Sequence, residues 1–234
     1  DAYARQKTKA IEEGQAMNAP NFTVDWHSHN IPHLRQALDA YKGQPGVRAL
    51  EIGCFEGRST LWFLENVLTH ETARIDCIDT FKGSVEHARM GLDLKDIHVQ
   101  FLMNINPHRD KVSVFTGPSQ EVLRDRWLDM GPYDFIYIDG SHKAADVLED
   151  AVLSFRLLKI GGLLIFDDYA WEGGGPTEFD NPKIGVDAFY RVYRNQLKRE
   201  HTIYQAIFRR VMESHIETEP KPRDPREMVE RLVS

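Results

Sequence analysis

Four short apolar runs in this chain each end in or beside a carboxylate. They are residues 47–52 (VRALEI), 74–79 (RIDCID), 134–139 (DFIYID) and 162–167 (GLLIFD). Unbroken apolar runs of this length read as strands buried on both faces. Residues 111–115 (KVSVF) add one more strand, and residues 202–211 one or two late ones. Between the strands lie segments with helical spacing: 58–68, 98–104, 120–127, 144–158 and 186–198. The helix at 144–158 is expected to stop at Gly161-Gly162. Strands alternating with helices imply a parallel sheet covered on both faces, which makes the chain α/β. Ligands of such sheets bind at the carboxyl ends of the strands. That edge therefore collects Glu51, Asp79, Asp139 and Asp167. A carboxylate there loses hydration unless it meets a donor or a cation, so four of them point to a ligand.

The first acid sits in ALEIGCFEGRST, residues 49–60. Gly53 and Gly57 let the chain turn sharply and let a ligand come close. The spacing is not that of the dinucleotide fingerprint, which would need glycines where Phe55 and Arg58 stand. No G-K-[ST] follows, so a phosphate-binding P-loop is excluded as well.

The pattern E-x-G-x-x-x-G-x-S, formed by Glu51, Gly53, Gly57 and Ser59, resembles the first motif of class I S-adenosylmethionine-dependent methyltransferases. More narrowly it is similar to the catechol O-methyltransferase-like group, with its bacterial natural-product and sugar O-methyltransferase relatives. GPSQEVL (117–123), YIDGSH (137–142) and LLKIGGLLIFDDY (157–169) resemble later motifs of that group, in the right order. The resemblance covers residues 47–170 and implies a Rossmann-like fold with a mostly parallel seven-stranded sheet. It implies S-adenosylmethionine as cofactor, held by Glu51, Gly53, Cys54, Gly57, Ser59, Asp79, Thr80, Ser119, Gln120 and Asp139. Asp79 stands where the family's ribose acceptor stands, and an acid there can take both ribose hydroxyls. Purely structural readings stay open: Glu51 as a helix-capping acid, Asp79 and Ser119 as N-caps.

Asp139, Asp167 and Asp168 end two strands expected to be neighbours. Hard oxygen ligands of this number suit Mg²⁺, with water and substrate completing the octahedron. In metal-dependent members of the resembling group, acids at matching positions hold Mg²⁺, which chelates the acceptor hydroxyl. The alternative is a cofactor contact or helix cap for Asp139 and a solvated Asp168. His142 stands where the catechol enzymes carry a lysine base, and histidine can take a hydroxyl proton near neutrality. Asp139 and His142 are thus the catalytic candidates, though His142 could equally pack against a ligand without moving a proton.

Trp26, His27 and His29 precede an amphipathic segment ending at Tyr41. They are candidates for the substrate pocket, for packing, or, by their H-x-H spacing, for a metal. The glycine-rich loop beginning at Trp171 is a candidate lid. Three parts are expected: a helical cover over 1–45, a catalytic domain over 46–213 and a tail over 214–234. The tail is a candidate arm for a partner subunit, which would make a homo-oligomer.

Composition narrows the function. Net charge is -7, opposite to the basic surface of a nucleic-acid binder, and no N-P-P-[YF] motif for base methylation occurs. No apolar run approaches the roughly 18 residues of a membrane span. Cys54 and Cys77 form neither a metal spacing nor a disulfide framework, so a reducing cytoplasm is expected. The chain starts at Asp1, which suggests a processed or excised piece. The expectation is a methyltransferase acting on a hydroxyl of a small molecule such as a sugar or secondary metabolite. Its rivals are a metal-independent O- or N-methyltransferase and a non-catalytic cofactor-binding module.

Overall fold

In the computed structural model the described residues are 19–171 and 181–212. Seven strands form one sheet: β1 Arg48–Ile52, β2 Arg74–Asp79, β3 Val112–Thr116, β4 Tyr133–Ile138, β5 Leu158–Phe166, β6 Leu197–Thr202 and β7 Ala206–Arg210. Their order is β3-β2-β1-β4-β5-β7-β6. β1 to β5 pair in parallel, whereas β7 is antiparallel to β5 and to β6. The helices are α1 Ile31–Leu38, α2 Arg58–Asn66, α3 Val85–Arg89, α4 Ile97–Asn104, α5 Ser119–Asp125, α6 Ala144–Phe155 and α7 Pro182–Tyr193. This is the mostly parallel, seven-stranded Rossmann-like sheet that the resemblance implied.

The two-residue period of the strands sorts their side chains onto two faces. Ala49, Cys77, Phe135, Tyr137 and Ile165 pack under α1 and α2 with Leu34, Leu38 and Phe63. Leu50, Ile52, Ile136, Ile138 and Phe166 pack under α6 and α7 with Val147, Phe155, Val186 and Phe189. Both faces are covered, so the strand runs need no polar alternation.

Two boundaries differ most from the expectation. α6 ends at Phe155, and Leu158 already pairs with Tyr133 in the sheet. Gly161-Gly162 is no helix stop but lies in an irregularity of β5, where the register jumps between Tyr133 and Phe135. The late helix ends at Tyr193, because Leu197 and Lys198 belong to β6. The glycine-rich stretch after Trp171 falls largely, and the tail wholly, outside the described residues. Among the described residues no helix is long and apolar enough to cross a membrane.

Candidate active site

The turn after β1 is built by Gly53 and Gly57. Both have left-handed backbones, with φ of +86° and +83°. A Cβ on Gly53 would sit 2.0 Å from the backbone oxygen of Asp139. The close approach read from the sequence is therefore, first, that of the β4 end onto the β1 end. Gly57 is the residue before α2, and a Cβ there would meet the Phe101 ring at 2.9 Å.

Asp79 organises this turn. Its Oδ2 accepts the backbone N–H of Cys54 at 2.6 Å and of Phe55 at 2.8 Å, and its Oδ1 accepts that of Phe81 at 2.6 Å. Phe55 and Phe81 both carry positive φ, 46° and 51°, an uncommon state for a large side chain. One carboxylate thus holds two strained residues at the tips of neighbouring strands. The local turn role weighed for Asp79 is present, and Oδ1 keeps more acceptor capacity than Oδ2.

Glu51 and Ser59 lie beneath the turn rather than in it. Glu51 is fully buried; it accepts hydrogen bonds from the hydroxyls of Ser59 and, at 2.5 Å, of Thr60. Burial pushes its carboxyl up to about 7, against the pull of those hydroxyls. Cys54 and Cys77 are buried free thiols beside it, and burial raises both. Thr80 is half-buried next to Asp79, and its hydroxyl accepts the N–H of Lys82 at 3.3 Å. Ser119 is the first residue of α5, not its cap, which is Pro118. Its hydroxyl donates instead to the buried Asp150 on α6 at 2.5 Å, and Gln120 beside it is half-buried. Burial lifts Asp150 to about 7.

The ends of β4 and β5 gather a different group. Asp139, His142 and Asp168 bring one ligand atom each to within 4.8 Å of one another. The His142 Nε2 stands 3.0 Å from Asp168 Oδ2, and the Tyr204 hydroxyl donates to Asp168 Oδ1 at 2.9 Å. The Trp171 ring packs on the His142 ring at 4.4 Å. Asp139 is pushed well above the ordinary carboxylate range by burial and by the charges of Asp167 and Asp168. Burial also acts on Asp168, but the hydrogen bond and charge of His142 outweigh it and hold that carboxyl below its usual value.

Asp167 lies beside this trio but directs its hydrogen bonds elsewhere. Its Oδ1 accepts from the Asn30 amide at 2.7 Å and from the Gln205 amide. It is buried, and burial with the neighbouring Asp168 charge raises it to about 7. The three aspartates expected as one ligand set thus divide: Asp139 and Asp168 converge with His142, while Asp167 ties the N-terminal segment to the β6–β7 turn.

The H-x-H pair does not form a metal pair. His27 is buried against Trp62, Phe63 and Tyr137, and its pKa is driven down to about 4 by burial, so it is neutral. His29 turns away to the Tyr204 ring at 4.9 Å. Asn30, Tyr204, Gln205 and Glu56 escaped the sequence reading. Their partners are distant, 137 residues away for Asn30 and 38 for Gln205, so no local pattern could mark them.

A family model described as a methyltransferase domain matches residues 50–169, just over half of the chain, from within β1 to beyond the end of β5. The chain belongs to this methyltransferase family. The class I resemblance read from the strand ends is therefore correct. The fold matches an O-methyltransferase from Bacillus cereus in complex with S-adenosylhomocysteine, at TM-score 0.58 and 19% identity, covering 91% of each chain. It matches TomG, an O-methyltransferase from Streptomyces achromogenes involved in tomaymycin synthesis, at TM-score 0.57 and 16% identity, again over 91% of each. The mycinamycin-pathway methyltransferase MycE, in complex with Mg, S-adenosylhomocysteine and mycinamycin VI, matches at TM-score 0.58 and 18% identity. That match covers 93% of this chain but 57% of the MycE chain. In sequence, an uncharacterized protein of Acanthamoeba polyphaga mimivirus is 27% identical over 168 residues, 71% of this chain and 67% of that protein.

Proposed function

We propose that this methyltransferase moves a methyl group from S-adenosylmethionine to a hydroxyl of a small molecule, a sugar or secondary metabolite. The observation that carries the reading is the His142–Asp168 pair at the β4–β5 ends, one strand away from the Asp79-held turn. The cofactor would lie over the Gly53–Gly57 turn, with its ribose on Asp79 and Thr80 and its adenine near Ser119 and Gln120. The acceptor oxygen attacks the methyl carbon as the carbon–sulfur bond breaks and its electron pair returns to sulfur. S-adenosylmethionine bound there would supply the methyl group and depart as S-adenosylhomocysteine, and His142 would take the hydroxyl proton. Asp168, beside the ring, stabilises the imidazolium that forms and fixes its orientation. The methyl carbon needs an in-line oxygen, so holding the two reactants in register supplies much of the rate.

The site also suits a divalent cation. Asp139 and Asp168 offer hard oxygen donors, and crowding of acids there leaves Asp139 short of positive charge. Mg²⁺ commonly takes only one or two protein carboxylates together with waters and substrate oxygens. Bound there, the cation would lower the acceptor hydroxyl's pKa and fix its oxygen. His142 could be drawn into that ligand set, but a nitrogen donor suits Mg²⁺ less well than the two carboxylates. The same His142–Asp168 pair favours a second reading, metal-independent transfer with the histidine as base. Incubating the protein with methyl-labelled S-adenosylmethionine and a panel of sugars and phenols tests both. Label in an acceptor that vanishes with EDTA supports the cation; label that survives EDTA supports the pair alone. A folded protein that labels no acceptor and binds no cofactor refutes the proposal.

A further inference from the structure

The motif around the glycine turn leaves Phe55, Glu56 and Arg58 unspecified, and all three are committed to one neighbour, the segment 21–27. Glu56 is buried and takes both the N–H of Thr23 at 2.6 Å and its hydroxyl at 2.5 Å. Arg58 donates to the backbone oxygen of Val24 at 3.1 Å, faces Asp25 at 3.5 Å and lies over the Phe22 ring at 4.4 Å. Asn104 bridges the two sides: its amide donates to the backbone oxygens of Asn21 and Glu56, each at 2.8 Å. Trp26 packs on Phe55 and on His87, which is itself stacked on Phe55 at 4.3 Å. A few residues on, Asn30 holds Asp167 at the end of β5.

A segment serving only to cover the core would need apolar contacts, not a buried carboxylate matched to one threonine. The polar bonds fall on the residues flanking Gly57, and the aromatic contact falls on Phe55, whose positive φ is costly unless its surroundings enforce it. Asp79 fixes the backbone of Phe55 from one side, and Trp26 and His87 confine its ring from the other.

We infer that residues 21–30 are a positioning strap, with Thr23 and Glu56 as its buckle, that holds the cofactor turn in its binding shape and ties it to the β5 end. This rests on the proposed cofactor site. No strap residue need touch the cofactor; the effect is pre-organisation of the Phe55–Glu56 backbone, which otherwise would be ordered only at the moment of binding.

Hydrogen exchange on the full chain, with and without S-adenosylhomocysteine, tests this in the unmodified protein. The ligand should slow exchange both in the turn, 53–57, and in the strap, 21–27. Calorimetry on Glu56→Gln and Thr23→Val should show S-adenosylhomocysteine affinity lower by about two- to tenfold, the scale of one ordinary hydrogen bond. Phe189→Leu, in the core on the far face of the sheet, should lower the melting temperature yet keep affinity within about twofold of the parent. Binding in the parent together with unchanged strap exchange, or with unchanged affinity in both buckle variants, overturns the strap. A parent that does not bind S-adenosylhomocysteine sinks the cofactor reading itself, and the strap's role with it.

Discussion

The acids at the β1–β2 ends and those at the β4–β5 ends occupy the same edge of one sheet but find different partners. Glu51 has two hydroxyls and Asp79 three backbone N–H groups directed at their oxygens. Asp79 holds the protein's own turn in shape, and Glu51 ties β1 to the start of α2 beneath it. At the other end Asp167 is held by two amides and Asp168 by the His142 ring and the Tyr204 hydroxyl, while Asp139 lies among the charges of both. Acids tied to the chain's own hydroxyls and N–H groups serve as scaffold; in the proposed function the Asp139–Asp168 pair beside His142 is where a cation or a protonated imidazole would be stabilised. In the proposed function this division would separate cofactor holding from chemistry.

The comparison breaks most sharply at His142. His142→Gln should reduce turnover by about 10²- to 10⁴-fold, the usual worth of a positioned base, while S-adenosylhomocysteine affinity stays near the parent's. Loss of binding in that variant would erase the division between the two ends. Gly53→Ala attacks the seam between them, because its Cβ would meet the Asp139 carbonyl oxygen at 2.0 Å. A cost of about 3 kcal/mol or more is expected in denaturant melts, with turnover and cofactor affinity falling together.

The pH dependence of stability sharpens the scaffold side. The folded pKa of Glu51 is raised above its ordinary value to about 7, so the folded state binds a proton that the unfolded state has already released. Stability is then greatest below pH 4.5 as far as this group is concerned, and it falls as pH rises from there through about 7. Glu51→Gln should flatten that slope. Measured by urea melts, its stability relative to the parent should improve between pH 4 and pH 8 by roughly 3 kcal/mol at most. Asp150, also raised to about 7, adds a second contribution of the same sign. An unchanged slope in Glu51→Gln would show that its hydroxyl partners keep the carboxylate ionised. The smallest effect belongs to Tyr204→Phe, which removes one hydrogen bond from Asp168. Turnover should drop less than tenfold, in line with about 1 kcal/mol, with cofactor affinity unmoved.

The strand ends were legible in the sequence because buried parallel strands leave continuous apolar runs, and the acid after each run marks the ligand edge. The order of the motifs then carried the fold as far as β5. The Gly161-Gly162 pair misled, since a glycine pair looks alike whether it stops a helix or sits in a strand irregularity. Ser119 looked like a cap, but its hydroxyl found Asp150 across the α5–α6 packing. The split of Asp167 from Asp168 was invisible for a simple reason. Adjacent residues at a strand end point in different directions, and the amides that claim Asp167 come from far along the chain. Thr23 and Glu56 likewise carry no motif and pair only once the chain has folded.

In the proposed function one end of the sheet edge holds the cofactor and the other performs the chemistry. Calorimetric titration of S-adenosylhomocysteine into the parent, His142→Gln and Asp79→Asn, each with Mg²⁺ present, tests it most directly. The account predicts micromolar binding to the parent and to His142→Gln, and binding weakened by about tenfold or more in Asp79→Asn, which loses the charge its backbone donors require. A folded parent that gives no heat of binding, or an Asp79→Asn variant that binds as tightly as the parent, would contradict it.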